Sequence, residues 1–217
     1  ALSLEGSTVS APIHMTIDGG TYYTWGTSFA LVIGGKDSNQ NIAEVTIKNG
    51  KFLAPNATRA AVQVGGYNIA SSGKLTIENG EFTTAEGSAI RLNGEAAEVT
   101  INNGTFSGKH AVLTTRDSHI LTINGGTFES NLETINSGVS KCLYYKININ
   151  GGYFKSLSDA GNLSKSNDKS IITGGYFTSN SCLFTPADEN IYFTVPTGYK
   201  YVESDVEGYL YMVVPEN

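Results

Sequence analysis

The apolar and polar positions of the chain alternate in a pattern that returns seven times. Met15-Thr16-Ile17-Asp18-Gly19-Gly20-Thr21-Tyr22 recurs as Val45-Thr46-Ile47-Lys48-Asn49-Gly50-Lys51-Phe52, then at 75–82, 99–106, 121–128, 147–154 and, more weakly, 170–177. The anchor glycines (Gly20, Gly50, Gly80, Gly104, Gly126, Gly152, Gly175) are spaced by 30, 30, 24, 22, 26 and 23 residues. Self-similarity at this period predicts a solenoid.

Each column of the repeat has a physical reading. Aliphatic residues flank a Thr or Asn, which is the period-2 pattern of a short strand with one buried face. The residue before the anchor is Asn or Gly, types that tolerate a left-handed conformation, so the chain is expected to turn there. Two residues past the anchor stand Tyr22, Phe52, Phe82, Phe106, Phe128, Phe154 and Phe177. A column this regular reads as an internal stack, each ring contributing roughly 1.5–3 kcal/mol on burial.

Asn-Gly between apolar runs also signals a β-hairpin. Hairpin partners, however, follow their turn at once, whereas here a second strand-like segment comes 7–11 residues after each early anchor: Ala30-Leu31-Val32-Ile33, Ala61-Val62-Gln63-Val64, Ala89-Ile90-Arg91-Leu92 and Ala111-Val112-Leu113-Thr114. The expected fold is therefore all-β: a single-stranded, right-handed parallel β-helix of about seven coils over residues 1–185, with like residues stacked at the ~4.8 Å strand spacing. Stacking would set Lys48 and Lys51 against Glu78 and Glu81 and align Asn102, Asn124 and Asn150 as an amide ladder.

Open solenoid ends need covers. Residues 186–217 abandon the repeat for Ile191-Tyr192-Phe193-Thr194-Val195, Gly198-Tyr199-Lys200-Tyr201-Val202 and Gly208-Tyr209-Leu210-Tyr211-Met212-Val213-Val214, and read as a C-terminal β cap packed on the last coil. Residues 2–9 are expected to begin an incomplete first coil, and the polar stretch 156–170 to protrude as a loop.

Composition narrows the function. With 25 glycines in 217 residues the chain exceeds the usual ~7%, but 40% hydrophobic content with 12 Tyr and 9 Phe excludes a wholly disordered linker. A formal charge of −6 with only 16% charged residues argues against nucleic acid as partner. No apolar run is long enough for a membrane-spanning helix. Ala1-Leu2-Ser3-Leu4-Glu5 lacks a leader pattern, so either a signal has been removed or the sequence begins inside a longer protein. Cys142 and Cys182, expected on different coils and faces, are read as unpaired.

The runs Ile123-Asn124-Gly125-Gly126-Thr127-Phe128, Ile149-Asn150-Gly151-Gly152-Tyr153-Phe154 and Thr173-Gly174-Gly175-Tyr176-Phe177, followed by the Gly-Tyr-Lys and Gly-Tyr-Leu-Tyr tail, carry a resemblance. Over residues 13–217 the chain resembles the Gly-Gly-Thr-Phe-repeat, pectate-lyase-like parallel β-helix proteins on the surface of, or secreted by, gut and other anaerobic bacteria. That resemblance implies an extracellular or cell-surface location. The group includes adhesin stalks, carbohydrate-binding proteins and polysaccharide-degrading enzymes, so it specifies architecture more than activity.

The residues favour binding over catalysis. Glycosidases need two carboxylates across one groove, and here Glu81, Glu86, Glu95 and Glu98 are scattered. No Asp cluster beside a Lys or Arg suggests a calcium-dependent lyase, and the Gly-Gly-x-Gly-x-Asp calcium repeat is missing. Arg116-Asp117-Ser118-His119, with His110, holds acid, base and hydroxyl types but sits at the return-loop position that Lys36-Asp37-Ser38 holds in an earlier coil, as ordinary turn residues do. No catalytic, metal or cofactor residue is assigned. The threonine column Thr16, Thr46, Thr76, Thr100 and Thr122 lacks the second ladder of an ice-binding face. Asn56, Asn103 and Asn162 match the glycosylation acceptor pattern, at a frequency chance explains in so Asn- and Thr-rich a chain.

The outward column after the anchor carries Thr, Lys, Glu, Thr and Thr, then Tyr153 and Tyr176. Two exposed aromatics one strand spacing apart offer a stacking surface for sugar rings, with Tyr144 and Trp25 as extensions. The competing expectation has these tyrosines packed beneath the 156–170 loop or the cap. The sequence thus reads as a non-catalytic, adhesive or structural surface module with glycan as ligand. The alternative is a polysaccharide-active enzyme, lyase or glycoside hydrolase, working on a return-loop face.

Overall fold

A computed structural model describes residues 2–4, 13–34, 43–66, 72–94, 96–115, 119–136, 146–158, 161–163, 170–179 and 194–217. The chain opens with β1 (Leu2–Leu4). The first circuit is β2 (Ile13–Tyr23), which bends across two faces, and β3 (Leu31–Ile33); the second is β4 (Ala43–Ala54) and β5 (Ala60–Val64). The third circuit uses three separate strands, β6 (Ser72–Ile77), β7 (Glu81–Thr84) and β8 (Ser88–Leu92). The fourth follows with β9 (Ala96–Ile101), β10 (Thr105–Gly108) and β11 (His110–Thr114), and the fifth with β12 (Ile120–Ile123), β13 (Thr127–Ser130) and β14 (Ile135–Asn136). Then come β15 (Lys146–Ile149) and β16 (Tyr153–Ser156), β17 (Ile171–Ile172) and β18 (Tyr176–Phe177), and finally β19 (Tyr199–Glu203) and β20 (Tyr211–Pro215).

Strands β1 to β18 stack in parallel, like residue on like, and form a parallel β-helix with three faces. The first face runs Met15, Val45, Leu75, Val99, Leu121 and Ile147 down one inward column. The second runs the aromatic column, and the third runs Leu31, Val62, Ile90, Val112 and Ile135. The seven copies of the repeat all join the stack; among the described residues five circuits close all three faces as strands, and the last two supply strands to the first and second.

The aromatic column is the spine of the core. From Tyr22 through Phe177 successive rings lie 4.8, 5.1, 4.9, 4.8, 4.8 and 4.9 Å apart, with planes within 8° of parallel. The six phenylalanines are completely buried. Aliphatic residues of the other two faces fill the remaining cross-section.

The corner matches expectation in the first copy, where Gly19 has a φ of 112°, and differs from it by one residue in the three later copies with glycine before the anchor. The positive φ falls on the anchor glycine itself in all seven copies, from 91° at Gly20 to 147° at Gly80. Gly125, Gly151 and Gly174, one position earlier, are not in that region. Their position is small for a different reason: a Cβ on Gly125 or Gly151 would stand 2.7 or 2.6 Å from the carbonyl oxygen of Asn102 or Asn124 on the preceding coil.

Outside, polar columns link the coils. Lys51 meets Glu81 at 2.7 Å as the stacking requires. Lys48, in contrast, reaches back to Asp18 at 3.7 Å, and Glu78 instead accepts from the Asn102 amide at 3.0 Å. A Lys side chain spans either neighbouring rung, so register alone does not choose its partner. The amide ladder continues from there: Asn124 Nδ2 donates to Asn102 Oδ1 at 2.8 Å, Asn150 Nδ2 to Asn124 Oδ1 at 2.9 Å, and Thr173 Oγ1 to Asn150 Oδ1 at 3.0 Å. Asn124→Ala removes a donor and an acceptor from the middle of this exposed chain and is expected to lower stability by about 1 kcal/mol. Denaturant unfolding of Asn102→Ala, Asn124→Ala and the double variant checks it; strict additivity would deny the coupling.

The tail folds back as an antiparallel hairpin of β19 and β20. Strand β20 pairs antiparallel with β18, Tyr176 opposite Met212 and Phe177 opposite Tyr211, and so occupies the C-terminal edge of the second face. Thr194 bridges Ile171 in parallel on the first face. The expected boundary at 185/186, most of the strand at 191–195, and both cysteines lie outside the described residues, as do 5–9 of the expected N-terminal strand. Within 156–170 the structure corrects the loop reading. Leu163 is 1% exposed and bridges Ile135 in parallel, adding a rung to the third face.

Candidate functional site

Strands β16 and β18 place Tyr153 and Tyr176 in register on the outer side of the second face, because each is one residue before the buried phenylalanine of its rung and alternation turns it outward. Their rings stack at 4.8 Å with planes 8° apart. Thr127 and Thr105, both short and exposed, precede them in the same column, one and two rungs toward the N-terminus from Tyr153. Tyr153 is 39% exposed. Beside the column, Lys155 Nζ and Glu129 Oε2 form an ion pair at 3.1 Å.

The cap adds a third ring. Tyr209 lies 5.4 Å from Tyr153 at 57° and 6.4 Å from Tyr176 at 65°. It is brought there by the antiparallel docking of β20, with Leu210 N donating to Phe177 O at 3.0 Å. The tyrosines are thus half-covered by the cap while Tyr153 keeps an exposed margin. Sequence reading missed Tyr209 as a member of the cluster; its one signal was the Gly208-Tyr209 turn within the cap.

Burial raises the Tyr209 phenol above its ordinary value near 10, Lys155 opposes the shift, and Glu129 and Tyr153 add to it. The folded state therefore holds this proton more tightly than the unfolded chain. The associated stability is complete below the unfolded value and is lost as pH rises through the folded one. Spectrophotometric titration is expected to show that the phenol lost in Tyr209→Phe ionises above the ordinary tyrosine value, and the variant to lose that group's share of the alkaline loss of stability. If the variant and wild type lose stability in parallel, the contact has no such role.

Those of the other sequence-selected residues that the structure describes do not join this cluster. Trp25 is 77% exposed in the first circuit, edge-on to Tyr23 at 4.8 Å, and belongs to the opposite end of the stack. Tyr144 lies outside the described residues, as do Arg116, Asp117 and Ser118. His119 is 1% exposed with Nε2 2.7 Å from the Gly94 carbonyl oxygen, and His110 is 9% exposed with Nδ1 3.0 Å from the Glu133 carbonyl oxygen. Both imidazoles brace neighbouring coils instead of facing a substrate. Asn162 is buried, its amide bonded to Phe154 O and to Ser179 N at 2.8 Å each, so this acceptor pattern is not open to glycosylation. Among the described residues no group of three or more His, Cys, Asp or Glu is placed to hold a metal ion, and no helix is long and apolar enough to cross a membrane.

Fold and site together define a class, a three-faced parallel β-helix with an outward tyrosine cluster where its last coils meet a β hairpin. Set against protein-family models, curated proteins and solved structures, the chain matches none of them.

Proposed function

We propose that this protein is a non-catalytic extracellular or cell-surface module, adhesive or structural, of the Gly-Gly-Thr-Phe-repeat, pectate-lyase-like kind, and that it binds glycan at Tyr153 and Tyr176. The observation that carries the reading is the parallel tyrosine pair at 4.8 Å beside the short side chain of Thr127. Tyr153 and Tyr176 share one ring face with each other, which leaves the far face of Tyr153 directed along the stack toward the Thr127 step. A pyranose laid on that step rests its apolar C–H face on the ring while its hydroxyls reach Thr127 and the Lys155–Glu129 pair. The buried state of His110 and His119 favours binding over cleavage, since a general base must reach the proton it removes.

The test is a glycan array followed by product analysis on each hit. Binding without new reducing ends or unsaturated products is expected. Tyr153→Ala with Tyr176→Ala is expected to weaken retention by at least about tenfold with the circular dichroism spectrum kept. Unchanged retention on every bound glycan would overturn the site, and new products would favour the enzyme alternative.

A further inference from the structure

The two ends of the solenoid are finished differently. At the C-terminal end the β19–β20 hairpin lies across the second-face edge, and Tyr199, Tyr201 and Tyr211 pack against the core. At the N-terminal end β1 pairs only with β3 and β2 only with β4; among the described residues nothing pairs with their outer edges. The inward columns record the same asymmetry. Ile13 is 37% exposed where its successor Ala43 is 1% exposed. Met15, Tyr22, Leu2 and Leu4 are only partly buried although the residues beneath them, Val45, Phe52, Leu31 and Ile33, are buried. Among the described residues this end is a cut through an apolar core, rimmed by strand backbone with no partner on its outer side, the arrangement that templates further pairing.

We infer that a second copy of this chain docks here head to head, about a two-fold axis through Thr16. Head-to-tail stacking is closed off because the C-terminal edge of the second face already pairs with β20. Like ends must then meet, and such a contact is self-complementary. With β2 antiparallel to β2 of the second copy and Thr16 opposite Thr16, residues whose numbers sum to 32 face each other. Met15 then lies against Ile17 of the second copy on the core side, apolar meeting apolar; on the outer side His14, 3.1 Å from Glu44 Oε2 of its own chain, faces the second copy's Asp18, which Lys48 reaches at 3.7 Å, so the two strands bring one alternating row of cations and carboxylates together. A shift of one residue would turn each apolar side chain toward solvent, and a shift of two would take His14 away from Asp18 of the second copy. The same axis carries β1 of each copy toward the second-face half of β2 of the other, where Leu2 and Leu4 cover the open ring of Tyr22.

Sedimentation and light scattering over a micromolar concentration series test this. The expected species has twice the 23.1 kDa mass of the chain. Thr16→Lys sets two ammonium groups together at the axis and is expected to weaken association at least about 100-fold, while an exposed edge position leaves the fold intact by circular dichroism. Thr16→Cys is expected to form an intermolecular disulfide on mild oxidation, since opposed antiparallel residues fall within disulfide reach. Thr46→Cys, one rung inside, and the wild type with its two native cysteines are expected not to. A monomer at every concentration, as when an upstream segment of the same polypeptide covers the end, overturns the inference. So does a dimer that tolerates Thr16→Lys and fails to crosslink through Thr16→Cys.

Discussion

Phe106→Ala is expected to lower the unfolding free energy by about 3–5 kcal/mol, toward the upper end of that range. Phe106 is the middle ring of the spine, 4.9 Å from Phe82 and 4.8 Å from Phe128, and is fully buried. Its backbone is held on both sides by parallel ladders, Thr105 to Ser107 against Glu81 to Thr83 and Thr105 to Gly108 against Thr127 to Ser130. The flanking rings are therefore held apart, the cavity does not collapse, and the full loss of dispersion contacts is felt. Coils touch only their neighbours, so the break also separates two halves of the stack, and unfolding in guanidinium should gain a second step. The control is Tyr22→Ala at the open end, where the ring is half-exposed and has a single stacked neighbour. There the expected loss is roughly 1–2 kcal/mol. Equal losses at the two positions would contradict a spine whose contribution comes from enclosure on both sides.

Gly65→Ala is expected to cost roughly 2–6 kcal/mol, backbone strain and overpacking together. Gly65 turns the chain off the third face with φ at +86°, and an added Cβ runs into the carbonyl of Asn93 on the next coil. Neither side gives way easily. Gly65 N is bonded to Ile33 O at 2.8 Å and Asn93 N to Val64 O at 2.7 Å, so the contact is locked into the ladder of three successive coils. Gly198→Ala separates the two causes. Its φ of +87° is almost the same, but nothing lies within 4 Å of the added atom, and only the conformational part, about 1–3 kcal/mol, remains. The difference in denaturation midpoint between the variants measures the coil-to-coil contact; equal midpoints would show that backbone strain is the whole effect.

Much of this was legible in the chain because a parallel stack demands the same side chain, again and again, at the same station. The Phe column, the Thr column and the alternating aliphatics announce themselves for that reason. The Asn102–Asn124–Asn150 ladder was legible too, since short amides at a fixed register reach only the next rung. What escaped follows from the same physics. Lys48 is long enough to choose between rungs and took Asp18. Leu163 stands six residues from Leu157 in a polar stretch, with no alternation to mark a strand, and is recruited because Ile135 offers it an edge. The pre-anchor position selects Gly in three copies through crowding by a neighbouring coil, which no local conformational preference reveals.

The candidate site divides along the same line. Tyr153 and Tyr176 are adjacent by repeat arithmetic: two rungs of one column must lie one strand spacing apart. Tyr209 reaches them only because β20 turns antiparallel onto β18, a pairing between unlike segments that periodicity does not encode. His110 and His119 are acid–base groups by residue type that the sequence already set aside as return-loop residues; that both are buried and brace neighbouring coils is a tertiary fact that periodicity does not encode. The sequence by itself determined the coil, its register and the outward column, because each is a nearest-neighbour property repeated along one axis. The tertiary structure decided how the ends are finished and what lies over the tyrosines, because those depend on segments that have no copy beneath them.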